Sequence, residues 1–133
     1  LEGIAARLAA QRISDDVLKD AQDANALCQK AVSTLHITAF NSANMAFHNA
    51  IIKGSKNRLL QDQLSTARPI TFPFRHHVST LPGYMEKSVE EHIGVLAALS
   101  AGDAERAQEL MCNHVNLQGE QVVGLLRLLE KSG

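Results

Sequence analysis

Six histidines stand against a single Tyr and no Trp in this 133-residue chain. Three of them fall where helical periodicity puts the interior. Over residues 39–53 the apolar positions Phe40, Phe47 and Ile51 alternate with Asn44 and His48, so an amide and an imidazole share the inward face, one turn and about 40° apart. Over 84–101 the stripe is Met85, Val89, Leu96 and Leu99 with His92 at its centre. From Asp103 to about Glu130 it is Ala107, Leu110, Met111 and Leu117, then Gln121 or Val122, with His114 at its centre. Neutral imidazole is a common ligand for zinc, nickel and iron, and an amide oxygen adds a harder donor. Four such groups leave coordination positions open for water or an oxygen-rich ligand. A lone buried imidazole is ordinarily satisfied by a backbone carbonyl or a water. Spacing leaves both readings open, because it does not say which helices pair.

Other chemistries are excluded more firmly. Di-iron carboxylate bundles use inward Glu and a Glu-x-x-His motif, whereas Val89 and Met111 stand three residues before His92 and His114. The sequence has no HExxH, CxxC pair, P-loop or GxGxxG. Cys112 lies two residues before His114, but such positions diverge on a helix, and its expected role is packing. Glu90-Glu91 reads as a solvated helix face. Arg75-His76-His77 follows two prolines and has two readings: a solvated patch, or a kink that aims Arg75 inward as a fork for carboxylate or phosphate. Arg7, Arg58 and Arg68 are weaker basic candidates, and the stem of Arg7 can equally cover an apolar edge.

The elements that must position these groups are all helical. Between Gly3 and Gly54 there is neither Gly nor Pro, and the chain has only 8 Gly, 3 Pro and 4% aromatic residues. That is poor material for strands and turns. Leu1, Ile4, Ala5, Leu8 and Ala9 predict a first helix ending near Arg12. Ser14 is the expected N-cap of a second, reaching about Leu35, with Asp15 and Asp16 at its positive end. After a break near 36–38, a third covers 39–53. A fourth begins near Asn57 and is expected to be kinked or interrupted by Pro69 and Pro73. A fifth spans 84–101 and ends at Gly102, and Asp103 caps a sixth. The prediction is an all-α antiparallel bundle of about six helices with a Pro-kinked fourth, forming one domain over 1–133.

Composition narrows the partners. With 13 basic and 14 acidic residues the formal charge is −1, unlike the basic excess of a free-standing nucleic-acid binder. The longest apolar run, Val95-Leu96-Ala97-Ala98-Leu99, is far short of the roughly 20 residues that span a bilayer. Cys28 and Cys112 have no short spacing and read as reduced thiols, which points to the cytoplasm.

The helix-forming segments also carry a resemblance. Leu1-Glu2-Gly3-Ile4-Ala5-Ala6-Arg7-Leu8-Ala9-Ala10 is similar to the first effector-domain helix of GntR-type transcription regulators of the FadR group, the FCD domain. Ala46-Phe47-His48-Asn49-Ala50-Ile51 with Gly54-Ser55-Lys56-Asn57-Arg58-Leu59-Leu60 resembles that family's FHxAI…SGNxxL segment. Glu91-His92, Ala98-Leu99-Ser100-Ala101-Gly102-Asp103, Ala107 and His114 resemble its EHxxIxxAIxxGDxxxA…H tail. The resemblance covers essentially the whole chain.

In the metal-binding branch of that family an Asp or Asn and three His from separate helices hold a divalent ion. Position by position the resemblance places these roles on Asn44, His48, His92 and His114. Asn44 stands where Asp is usual, so it donates less charge. Zinc or nickel are the first expectations for the ion, manganese or iron the next. The resemblance further implies a winged helix-turn-helix preceding Leu1, a homodimer, and DNA contact through that missing domain only. The effector would be a small carboxylate metabolite, with Arg75, His77 and Arg7 as the candidate residues that hold it. On this reading the protein is a sensor, not an enzyme. The alternatives are a metal-dependent enzyme using the same histidines, and a metal-free acyl-ligand sensor.

Overall fold

In the computed structural model the helices are α1 (Glu2–Arg12), α2 (Asp15–Ser33), α3 (Ile37–Gly54), α4 (Arg58–Ser79), α5 (Tyr84–Ala101) and α6 (Ala104–Ser132). The structure describes the backbone of residues 1–132, and the side chains of all of these except 67–76, 117–122, 125 and 132. Among the described residues no strand occurs, in keeping with the all-α bundle expected from the sequence.

The helix starts follow local chemistry. Ser14 Oγ accepts from the Val17 N–H at 3.3 Å, Asn57 Oδ1 from Leu60 N–H at 3.1 Å, and Asp103 Oδ1 from Arg106 N–H at 3.1 Å. Each side chain satisfies an amide that the first helical turn leaves without a partner, a contribution of about 1 kcal/mol. α5 stops at Gly102, which takes the left-handed conformation (φ 68°) that closes a helix. The break after α2 comes earlier than the apolar pattern suggests. α2 ends at Ser33, Leu35 turns the chain with φ 53°, and α3 begins at Ile37. The cause is His36, whose Nδ1 accepts the Ala39 N–H at 3.0 Å. A histidine with no role evident in the sequence is therefore a helix cap. α4 is one element from Arg58 to Ser79. The kink expected at Pro69 and Pro73 falls on residues whose side chains lie outside those described.

α2 folds back along α3 across the short turn, α1 lies along α6, and α5 packs against α2, α6 and α1. A central core joins Ala6 and Ala9 of α1, Phe47 and Ile51 of α3, Val95 and Leu99 of α5, and Ala107 and Met111 of α6. A second forms around Phe40, Val78, Tyr84 and Met85, and a third around Ile52, Leu60 and Leu64. The small residues of α1, Gly3, Ala5, Ala6 and Ala9, are all buried, so this helix approaches its neighbours closely. Each buried Phe, Ile or Leu contributes roughly 1.5–3 kcal/mol, and together they fix the rotation of α3, α5 and α6 about their axes. That rotation is what turns three imidazoles inward.

Candidate metal centre

His48 on α3, His92 on α5 and His114 on α6 are buried at 2%, 0% and 0% exposure, in the same stripes as Phe47, Val89 and Met111. A ring nitrogen from each lies within 4.8 Å of those of the others. The rings of His48 and His114 stack with centroids 5.2 Å apart and planes 11° apart, while His92 meets both edge-on at 5.5 and 4.9 Å. Phe47 covers the outer face of this group by stacking on His92 at 3.9 Å. A flat apolar wall of this kind fixes the ring without competing for its nitrogens.

Each Nδ1 faces an oxygen on a different helix. His92 Nδ1 is 2.9 Å from Asn25 Oδ1 of α2, and His114 Nδ1 is 3.1 Å from Glu91 Oε1 of α5. His48 Nδ1 is 3.2 Å from Glu2 Oε1 of α1, an electrostatic contact off the line of an ideal hydrogen bond. Carboxylate and amide oxygens only accept, so the contacts at His92 and His114 place the proton on Nδ1, and the Glu2 carboxylate favours the same tautomer at His48. In the neutral imidazole Nε2 then carries a lone pair. His114 Nε2 and His48 Nε2 stand 3.3 Å apart, and His92 Nε2 is a buried nitrogen with no hydrogen-bond partner among the described residues. Burial drives the His92 imidazole far below its ordinary pKa, and charge on His48 or His114 would push the same way. It is held in the neutral form that a metal requires.

Lone pairs that face one another in a dry interior repel unless a cation lies between them. Two nitrogens bound to one zinc-like ion at about 2.0–2.1 Å stand about 3.0–3.4 Å apart, and the 3.3 Å between His48 and His114 falls in that range. Asn44 Oδ1, one turn before His48, is a further buried polar atom with no hydrogen-bond partner among the described residues. Orphaned buried polar atoms are rare and each calls for an explanation. The donor set fits a divalent ion that takes nitrogen and oxygen ligands.

The residues expected near an effector are placed differently. Arg7 is part-buried, and its guanidinium donates to Gln108 Oε1 at 3.0 Å, tying α1 to α6. His77 is exposed. The Arg75 side chain lies outside the described residues. Glu91, expected on a solvated face, is instead partly buried against His114 (23% side-chain exposure). Glu2 and Asn25 meet the imidazoles as well, without being expected to from the sequence. Asn25 gave the same signal as Asn44, a polar residue inside an apolar stripe beside Ala21, Ala24 and Cys28. Glu2 gave none.

A family model described as the FCD domain matches residues 1–117. The chain belongs to the FCD domain family. The match spans all four residues of the expected ligand set, and it bears out the resemblance read from the FHxAI and EH segments. Among solved structures, E. coli McbR/YncC superposes on this FCD domain with a TM-score of 0.83 at 20% identity. The superposition covers 93% of this chain and 63% of that one, so the FCD domain here spans less than two thirds of the length of the protein it matches. The likeness establishes the shared fold. Comparison with curated proteins gives no match.

Proposed function

We propose that this FCD domain is the effector-sensing part of a transcription regulator, and that His48, His92, His114 and Asn44 hold a divalent metal against which a small carboxylate metabolite binds. The observation that carries the reading is the convergence of three buried imidazoles whose Nδ1 atoms all face oxygens. Zinc or nickel suits the donor set best, then manganese or iron. When bound, the ion supplies open positions to the oxygens of an acid. The chain's own residues do the rest. Phe47 walls off one side, the histidines fix the ion, and Arg75 is the proposed guanidinium fork for a second carboxylate group.

Sensing is favoured over turnover because both carboxylates closest to the imidazoles, Glu2 and Glu91, face ring nitrogens. A general base would have to reach a substrate instead. The proposed output is a shift in helix positions passed to a winged helix-turn-helix preceding Leu1, in a cytoplasmic homodimer. Coupling of about 1–3 kcal/mol is enough for such a switch. The exposed Val123, Leu126, Leu128 and Leu129 near the end of α6 offer an apolar surface suited to self-association.

Elemental analysis of protein purified without a metal-affinity tag, joined to a thermal-shift screen of organic acids, tests the reading. Near-stoichiometric metal and stabilisation by an acid only in the metal-loaded protein are expected. Equal metal content in the parent and in His48→Ala or His114→Ala would remove the assignment, and multiple turnover of an acid would make the protein an enzyme.

A further inference from the structure

The four proposed ligands are all neutral: three imidazoles and the Asn44 amide. A dication among them is a buried charge, and buried charges are costly unless compensated nearby. The compensation stands one layer out. Glu2 and Glu91 bring two carboxylates to the Nδ1 atoms of His48 and His114, with side-chain exposures of only 11% and 23%. Two carboxylates balance one dication. Asn25, 4% exposed, faces the third Nδ1 with an uncharged oxygen.

We propose that Glu2, Asn25 and Glu91 are positioning residues for metal binding: they hold the Nδ1–H tautomer that turns every Nε2 lone pair to the centre, and the two glutamates supply the negative charge that Asn44 does not. The inference rests on the metal reading given above. Two features favour it over three unrelated surface contacts. The three oxygens come from three helices, α1, α2 and α5, yet each meets the same atom type of a different histidine. All three also face the Nδ1 rather than the Nε2 side, the arrangement that leaves one common set of nitrogens for an ion. A carboxylate behind an imidazole raises its basicity as well as orienting it.

Cobalt(II) titration of the chain tests this, because the visible absorption of the ion reports its ligand set separately from its affinity. Glu2→Gln and Glu91→Gln keep size and an accepting oxygen while removing charge. Each is expected to weaken cobalt binding by about 10–100-fold with the absorption band unchanged, and Glu91→Asp is expected to recover part of the loss. Asn25→Leu removes an acceptor without changing charge and is expected to weaken binding too. Asn44→Asp restores a carboxylate in the site and is expected to raise affinity more in the Glu91→Gln background than in the parent, a coupling that a purely structural role for Glu91 does not predict. Melting temperatures in chelator verify that each variant is folded. Binding by Glu2→Gln and Glu91→Gln within about twofold of the parent, well short of a usual outer-sphere effect, would overturn the proposal while leaving the metal site standing. A parent that binds no cobalt, or a His114→Ala variant that binds it equally well, would overturn both.

Discussion

His114 Nε2 and His48 Nε2 face each other at 3.3 Å across the interior, while the Nδ1 of one is held by Glu91 and that of the other faces Glu2. A cation between the two inner nitrogens makes the contact favourable in place of a single shared proton. Zinc is therefore expected to stabilise the fold by mass action. At a free concentration 100 times Kd the gain is about 2.7 kcal/mol, read as a rise in melting temperature that depends on zinc concentration. His114→Ala removes the response. A chelator-treated parent melting at the same temperature with and without zinc would contradict the expectation.

Asn44 separates binding from stability. Its Oδ1 is buried without a hydrogen-bond partner among the described residues, and an unmet buried acceptor costs about 1–3 kcal/mol. Asn44→Ala removes that cost and leaves a small cavity in exchange. The variant is expected to melt in chelator within a few degrees of the parent, and to gain less than the parent from zinc. A large fall in chelator with an undiminished zinc response would mark Asn44 as a structural residue alone.

These two sites also show how far the sequence could be read. His48, His92, His114 and Asn44 were legible because each interrupts an apolar stripe, and a polar group on a buried face must have a partner. Asn25 carries the same signal but is not singled out by the sequence, and it lies opposite His92. Glu2 and Glu91 were not legible, since an acidic residue on the edge of a helix looks solvated until the neighbouring helix is known to bring an imidazole to it. His36 is opaque for a different reason: a histidine cap has no strong sequence signature, so α3 begins at Ile37, two residues before the apolar pattern predicts. The caps Ser14 and Asp103 and the stop at Gly102 were legible because each is settled within a few residues of sequence.

Cys28 gives an alkaline signature. Burial in the second core pushes its thiol from 9.0 up to about 12. Below pH 9 the thiol is protonated whether the chain is folded or unfolded, and it has no effect on pH dependence. Between 9 and 12 the unfolded thiol ionises and the folded one does not, so stability falls as pH rises through this window. Cys28→Ala is expected to flatten the alkaline limb of a urea-denaturation series between pH 8.5 and 10.5, about the onset of that window, whatever its effect at neutral pH. At pH 8 burial keeps the native thiol protonated, so Cys28 should resist thiol reagents until the protein unfolds. Rapid labelling of Cys28 in the native state would show that the α2–α3 packing opens readily.

Gly3 sets the approach of α1 to α6. A Cβ at this position would collide with the Cys112 Sγ and touch the Gln108 carbonyl oxygen. Alanine raises helix propensity over glycine by about 1 kcal/mol, so an open site would make Gly3→Ala stabilising. The collision reverses the sign: overpacking typically costs about 1–3 kcal/mol, relieved either by turning the Cys112 Sγ off its present rotamer or by separating the helix pair. That separation would also draw Glu2 away from His48 and loosen the Arg7–Gln108 hydrogen bond. Gly3→Ala is therefore expected to lower both stability and zinc affinity. Cys112→Ala makes room for the added methyl group, so the double variant should recover most of both losses, with a coupling energy of about 1 kcal/mol or more in a double-mutant cycle. Additive effects would show that Gly3 matters for some reason other than its contact with Cys112.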